Sequence, residues 1–517
     1  MVRSMAVAKL GVVYTPREVT RPMVERALGP LVAGKTPSEI LALRVCDFAI
    51  GEGAFLVEIV RFLAAAHGGR DAKRLVAAHC LHGADIDPGA VATARAVVEA
   101  FAGAPIPELA THLRTGDALA LAWPAFDAVI GNPPYIRQEK LAPAQKRALR
   151  TFESYDGVAD LYVYFLELAH RLLRPGGRYC VVVPTKWLTA AYARPLRAFL
   201  ARAGSVEQIE ELAPTAFATA DAFPCIVSGA TCTVVDRPLS GARPIGGLRD
   251  RSCATVDRPL SGEPWHLDDR EDARILAGWE RFPKLGEMLV PSRGVVTGCN
   301  RAFVISRETR ERLVAAEPAC EAWIRPFLKG RDVRRWNAEP SERYLLVHER
   351  GVVPPKVLRA HLAPLRAALE PGSGRKPGSY QWYELQDPVG ALAKSVAPRL
   401  FYQDIQTAPA CSLDRDGFVP DTTVWILESE DPFVQAVLNS RLYAWYARRR
   451  FPPALNGAVR PKREYMMNLP LPRPAAALRA RIAKLVAAQL ARPAAERDRE
   501  LDALICRAYG VSASLIT

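Results

Sequence analysis

The chain has 517 residues, 49% hydrophobic and 24% charged, which excludes a small module or a mostly disordered chain and implies two or three domains with cores of their own. No apolar run approaches the roughly 18 residues of a membrane span, and the first twenty residues lack an apolar block followed by a small-residue cleavage site. The expected address is therefore the cytoplasm, with no membrane. Net charge is +14: residues 1–250 carry 28 Lys and Arg against 24 Asp and Glu, residues 251–517 carry 41 against 31. The more basic second half favours a polyanionic partner, nucleic acid or an anionic membrane surface. Ten scattered cysteines without a C-x-x-C pair argue against a zinc site and a disulfide framework, and read as buried, reduced thiols.

In chain order, the first half alternates short β-branched runs with longer amphipathic ones. Strands are predicted at 43–50, 79–87, 126–131, 178–184 and 225–235, with helices at 17–33, 53–66, 88–101, 160–174 and 191–203. Pro175-Gly176-Gly177 and Gly204 read as the stop signals of the last two helices. Strand, helix, strand in succession implies right-handed βαβ units and a parallel sheet covered on both faces, with ligands at the carboxyl ends of the strands. The expected divisions are a first domain over 1–240, a linker or insert over 241–268 and a second domain over 269–517. Val-Asp-Arg-Pro-Leu-Ser-Gly occurs at 235–241 and again at 256–262, too little for a repeat architecture. Residues 475–508 read as a helical stretch broken at Pro493.

The strand ends carry the chemistry. Asn132-Pro133-Pro134-Tyr135 follows the apolar run Phe126 to Ile130. Two prolines fix φ, remove both N–H donors and hold the preceding residues extended, so this is a rigid turn that presents groups. An Asn amide oxygen and a proline carbonyl can converge on one small donor such as an exocyclic NH₂, while Tyr135 offers a flat face for a base. Upstream, Asp47 to Phe55 ends the first strand with Gly51 and Gly53 and opens a helix, a place where backbone approaches a ligand closely and an anionic group is favoured. Asp85-Ile86-Asp87-Pro88 ends the next strand, where a carboxylate can accept from ribose hydroxyls. Gly116-Asp117 ends the third. Each acid alone is commonly a helix cap or a solvated turn residue; four polar signals at four successive strand ends are not.

These motifs, together with Tyr14-Thr15-Pro16-Arg17-Glu18, Asp160-Leu161-Tyr162 and Arg174 to Gly177, resemble in order those of the TaqI-type, gamma-group S-adenosylmethionine-dependent DNA adenine-N6 methyltransferases. The resemblance implies a Rossmann-like seven-stranded methyltransferase sheet with helices on both faces, and S-adenosyl-L-methionine held by Thr15, Asp47, Ala49, Gly51, Gly53, Asp85, Ile86, Asp117 and Asn132. It implies catalysis by Asn132, Pro133, Pro134 and Tyr135 on a flipped-out adenine, without a metal. Phe217 is the expected second stacking wall, with Phe223 in reserve. Phe48 and Glu52 depart from the family's usual loop.

Leu285 to Ile305, Ile324 to Arg331 and Arg460 to Pro470 resemble that type's specificity domain, of mixed α+β class. Arg331, Arg334, Arg335 and Trp336, then Tyr443, Trp445, Tyr446 and Arg448 to Arg450, offer arginines beside aromatics, as DNA contact requires. The expected protein is a monomeric, site-specific modification enzyme acting on double-stranded DNA, with any restriction endonuclease as a separately encoded partner. The alternatives are a methyltransferase acting on RNA or protein glutamine, and a non-catalytic DNA-recognition subunit.

Overall fold

The structure, a computed structural model, describes residues 15–203, 205–212, 223–231, 262–268, 270–347, 350–387 and 398–516. The chain divides into two compact units, Met1–Arg270 and Glu271–Thr517.

The first unit is built on seven strands: β1 (Val45–Asp47), β2 (Leu81–Asp85), β3 (Leu113–Thr115), β4 (Phe126–Gly131), β5 (Leu173–Pro184), β6 (Val206–Glu211) and β7 (Pro224–Ala230). Their order across the sheet is β3-β2-β1-β4-β5-β7-β6. The first five pair in parallel, whereas β7 runs antiparallel to both β5 and β6. The last strand is thus reversed relative to a purely parallel sheet, pairing antiparallel with the strand that precedes it in the chain. Alternation along the strands feeds two cores. Ala128, Ile130, Cys180, Val182 and Ile226 pack under helices Arg17–Val32, Ala54–His67 and Pro88–Ala102. Val129, Tyr179, Val181, Val183 and Val227 pack on the other face, under Tyr162–Arg171 and Arg194–Ala203. All six residues of β4 are buried, as befits a central strand covered on both faces.

Pro175-Gly176-Gly177 has a different role from the helix stop expected of it. The helix ends at Arg171, and the triplet lies within β5, where pairing jumps from Phe126↔Leu173 to Ala128↔Arg178. Gly176 takes φ +78° in this bulge. The same residues that end helices also relieve an irregular strand, so sequence does not separate the two uses. Similarly, residues 79–80 finish helix Ala72–Cys80 rather than open β2.

Of the stretch read as a linker, residues 262–268 pack within the first unit. Trp265 is buried edge-on against Trp187, and the buried Arg197 donates from Nε to the carbonyls of Gly262 and Glu263, both at 2.9 Å. The two copies of the seven-residue segment, apart from Gly262, lie outside the described residues, as do Tyr14, Gly204 and Phe217.

The second unit holds two four-stranded sheets. One has the order β14-β10-β11-β9, from β9 (Val304–Ser306), β10 (Ile324–Leu328), β11 (Arg343–Leu346) and β14 (Val419–Pro420). The other has the order β13-β12-β15-β8, from β8 (Ser292–Arg293), β12 (Arg399–Gln403), β13 (Cys411–Asp414) and β15 (Val424–Leu427). The second sheet shares a core with helices Pro432–Asn439, Arg441–Arg450, Ala476–Ala491 and Ala495–Tyr509. The last two helices are separated around Pro493, as its missing N–H requires. Eight described cysteines are free thiols, seven of them buried and Cys299 half-buried.

Candidate active site

The strand order reverses at β1, which has β2 on one side and β4 on the other, so a crevice opens at the carboxyl ends of these strands. β1 stops at Asp47, whose Oδ1 accepts the Ala49 N–H at 3.0 Å and turns the chain sharply. Gly51 (φ +47°) and Gly53 (φ +89°) take conformations costly for any side chain, and Gly53 caps the helix that begins at Ala54. A Cβ on Gly53 would stand 3.2 Å from the Ala94 Cα, so this glycine also lets two helices meet. The loop is braced from β2: the Gly51 N–H donates to Asp85 Oδ2 at 3.0 Å, while Asp85 Oδ1 accepts the Asp87 N–H at 3.0 Å. Next to Asp85, Ile86 is 61% exposed, an apolar side chain left at the crevice edge. Asp117 follows β3 and accepts the Leu119 N–H at 3.0 Å. Glu52 is exposed, and Phe48 is buried against Phe165 with ring centroids 5.1 Å apart.

Asp47 is wholly buried, and its Oδ2 has no hydrogen-bond partner among the described residues. Burial pushes its carboxyl up to about 7; the Ala49 N–H opposes this, and the negative Asp85 nearby adds to it. A carboxylate in such a place is poised to accept a donor that the protein does not itself provide. Gly131, at the end of β4, makes the approach possible, because a Cβ there would lie 2.7 Å from Asp47 Oδ1. The sequence reading passed over Gly131, although a glycine just before Asn-Pro-Pro-Tyr is a signal for close backbone approach.

Asn132 follows directly. Its Nδ2 donates to Thr15 Oγ1 at 3.1 Å, and its Oδ1 is buried without a partner among the described residues. The structure thus joins Thr15, expected at the cofactor, to the residue expected at the reacting amine; the link spans 117 positions and has no local signal. Pro133 is buried. Tyr135 donates its hydroxyl to the Val182 carbonyl at 3.2 Å and meets Tyr162 edge-on at 6.3 Å, which fixes its ring. Burial pushes the Tyr135 hydroxyl up, so it stays neutral. The Asp160-Leu161-Tyr162 segment supports the turn: the Leu161 N–H donates to the Ile136 carbonyl at 2.9 Å, and Asp160 Oδ1 accepts the Gln138 N–H at 3.3 Å. Phe223, the reserve stacking wall, precedes β7 and accepts the Thr185 N–H at its carbonyl at 2.7 Å.

The arginine and aromatic stretches of the second unit divide differently from the expectation that they offer DNA contacts together. Trp336, Tyr443, Trp445 and Tyr446 are core residues, 2 to 8% exposed. Trp336 donates from Nε1 to Asp498 at 2.9 Å, Arg335 pairs with the same carboxylate at 3.0 Å, and Arg449 pairs with Asp272 while lying 4.2 Å over the Trp445 ring. These side chains are held because flat, apolar surface is worth more inside than out, and their polar ends find partners in the fold. Arg331, Arg334 and Arg448 stay exposed.

Residues 120–217 match the Eco57I restriction-modification methylase family, and residues 325–471 match the TaqI-like C-terminal specificity domain. Both segments carry the sequence signatures of the TaqI-like/Eco57I type II DNA methyltransferases. The chain carries the family's seven-stranded mixed sheet with covering helices and a C-terminal mixed β domain of the specificity type. It is similar to the type II methyltransferase M.XhoI of Xanthomonas vasicola, 30% identical over 45% of this chain and 44% of that protein. It also resembles M.PaeR7I of Pseudomonas aeruginosa, 24% identical over 75% of this chain and 71% of that one. The chain therefore spans less than half the length of the first relative and more than two thirds of the second. Among solved structures, the type IIL restriction-modification enzyme MmeI, determined in complex with DNA, shares the fold with a TM-score of 0.66 and 14% identity, covering 96% of this chain and 76% of that one.

The family implies S-adenosylmethionine, and the donor set in the crevice fits it. The partnerless Asp47 Oδ2 suits an ammonium or hydroxyl donor. Asp85 has lone pairs left for ribose hydroxyls, exposed Ile86 offers an apolar wall for a base, and the helix that Gly53 caps presents its first-turn N–H groups to a carboxylate.

Proposed function

We propose that the chain is a site-specific DNA adenine-N6 methyltransferase that uses S-adenosylmethionine and serves as the modification component of a restriction-modification system. The observation that carries this reading is the Asn132 amide: Nδ2 is engaged by Thr15, Oδ1 is buried without a partner, and the two prolines that follow bring no N–H to fill it. A buried acceptor of this kind calls for a donor from a ligand. The amino group of an adenine extruded from the duplex answers that demand, at an unstacking cost of a few kcal/mol met by binding. Asn132 Oδ1 and the Pro133 carbonyl accept its two N–H bonds and draw them out of the ring plane, localising the nitrogen lone pair that resonance otherwise spreads into the base. Tyr135, braced by Val182 and Tyr162, supplies one stacking face, and Phe217 is proposed as the other. Asp47, Ala49, Gly51, Gly53, Asp85, Ile86 and Asp117 hold the cofactor, which when bound supplies a sulfonium methyl. Orientation and fixed dipoles account for the acceleration.

Double-stranded DNA is the proposed substrate because the second unit matches a DNA specificity domain. The test is methylation-sensitive sequencing of DNA from cells expressing the chain. N6-methyladenine within one short recurring sequence is expected; methylcytosine, or methylation confined to RNA or protein glutamine, would overturn the reading.

A further inference from the structure

The segment that leaves the Asn-Pro-Pro-Tyr turn carries an uneven charge. Residues 137–150 hold Arg137, Lys140, Lys146, Arg147 and Arg150 against the single carboxylate Glu139, a net +4. That equals the whole excess of residues 1–250, where 28 basic residues face 24 acidic ones, so the rest of the first half is balanced. Arg137, Lys140, Arg147 and Arg150 are exposed, and none of the five is ion-paired among the described residues. Elsewhere in the first unit exposed arginines commonly do find carboxylates, as Arg21 does with Glu25 and Arg61 with Glu58.

The segment is also rigid. At its start it is tied to the helix Tyr162–Arg171 through the Leu161 N–H to Ile136 and the Gln138 N–H to Asp160. At its end the buried Glu167 of that same helix accepts the N–H groups of Glu153 and Ser154 at 3.0 and 2.7 Å. Between these anchors, Leu141, Leu149 and Phe152 are buried in the core of the first unit, and Lys146 Nζ donates to Gln138 Oε1 at 2.7 Å. A 3₁₀ turn over Gln138–Lys140, a helix over Pro143–Ala148 and a further 3₁₀ turn over Leu149–Thr151 therefore turn apolar residues inward and cations outward.

We infer that this segment is a phosphate-binding face of the catalytic unit, gripping the DNA backbone beside the extruded base. The inference rests on the proposed reading of the Asn132 turn and adds a partner surface to it. Charge left unpaired on a fixed scaffold costs self-repulsion and is relieved by a polyanion, and the arginine and lysine heads suit phosphate oxygens. A rigid face that begins two residues after Tyr135 sets the register of the backbone on the segment that leaves the base-receiving turn. The DNA grip is then divided: the first unit fixes the strand at the reacting nucleotide, while the specificity domain reads sequence.

The experiment compares the unsubstituted protein with the triple variant Lys140→Gln, Arg147→Gln, Arg150→Gln and with a control pair, Arg70→Gln with Arg74→Gln, exposed just before and within the helix Ala72–Cys80. Affinity for a mixed-sequence duplex is measured across a salt series. The triple variant should lose between about 2 and 3 from the magnitude of the slope of log affinity against log salt, near 0.9 for each lost contact. The control pair should leave both the slope and methyl transfer unchanged, and S-adenosylmethionine affinity should match the unsubstituted protein in both variants. An unchanged slope in the triple variant, or weakened binding to single-stranded RNA alone, would overturn the inference and leave the functional reading standing. Unsubstituted protein that fails to bind duplex DNA would overturn both.

Discussion

The strand ends of the first unit and the arginine and aromatic stretches of the second are both rich in side chains suited to ligands, and they differ in where their polar atoms go. At Asp47 and Asn132 one side-chain oxygen is buried with no partner among the described residues. At Trp336 and Arg449 the polar ends meet Asp498 and Asp272. An orphaned acceptor costs stability and persists where a ligand fills it; a satisfied one serves the fold. Residue type alone does not separate these positions; whether the carboxyl or amide oxygen is met by the fold does.

The comparison predicts opposite failures on substitution. Trp336→Ala should cost the most, about 3–5 kcal/mol of unfolding free energy in denaturant titration. It empties a site 2% exposed, and the residue holds its backbone at φ +71° while its N–H and carbonyl pair with Cys411 and Leu413. A loss below about 1 kcal/mol would move Trp336 to the ligand-binding class.

Asp47 sharpens the contrast through pH. Its carboxyl is raised to about 7 by burial, far above its unfolded value, so the contribution it makes to stability is complete below about pH 4 and is lost as pH rises through about 7. Asp47→Asn carries no such charge. Thermal unfolding of the two proteins should therefore diverge as pH rises from 4 to 8, the Asn variant becoming relatively more stable by up to roughly 4 kcal/mol. A constant difference across that range would show that Asp47 is not desolvated.

Thr15→Val removes the acceptor that holds Asn132 Nδ2 while keeping the shape. Methyl transfer should slow about ten-fold with S-adenosylmethionine affinity retained, and Thr15→Ser should restore the rate. Weakened cofactor binding at an unchanged rate would return Thr15 to the cofactor alone.

The first sheet and its site were legible because their signals are local. A glycine loop after a β-branched run, an acid at a strand end and a proline-fixed turn each reveal themselves within ten residues. Asn132 and Asp47 lie where that reading expected, at the ends of β4 and β1. The bond from Asn132 to Thr15 and the fit of Gly131 against Asp47 depend on strand neighbours distant in sequence, and nothing local announces them. The reversed β7 and the bulge at Gly176 were missed for the same reason, since pairing direction and register belong to the sheet. In the second unit the aromatic side chains looked exposed because arginines surround them in sequence, whereas the helix Arg441–Arg450 and the bridge from Trp336 to Ser412 turn them into a core shared with Ala476–Ala491 and Ala495–Tyr509.

The central claim is that the orphaned oxygen of Asn132 receives the amino group of an adenine. Its most direct test is single-turnover transfer of labelled methyl from S-adenosylmethionine to duplex DNA by the unsubstituted protein and by Asn132→Ala, followed by digestion and identification of the labelled nucleoside. Label in N6-methyladenine with the unsubstituted protein and a rate lower by about 10²–10³-fold in the variant, with cofactor affinity and thermal stability retained, is the predicted result. Equal rates in the two proteins, or label in cytosine, would contradict it.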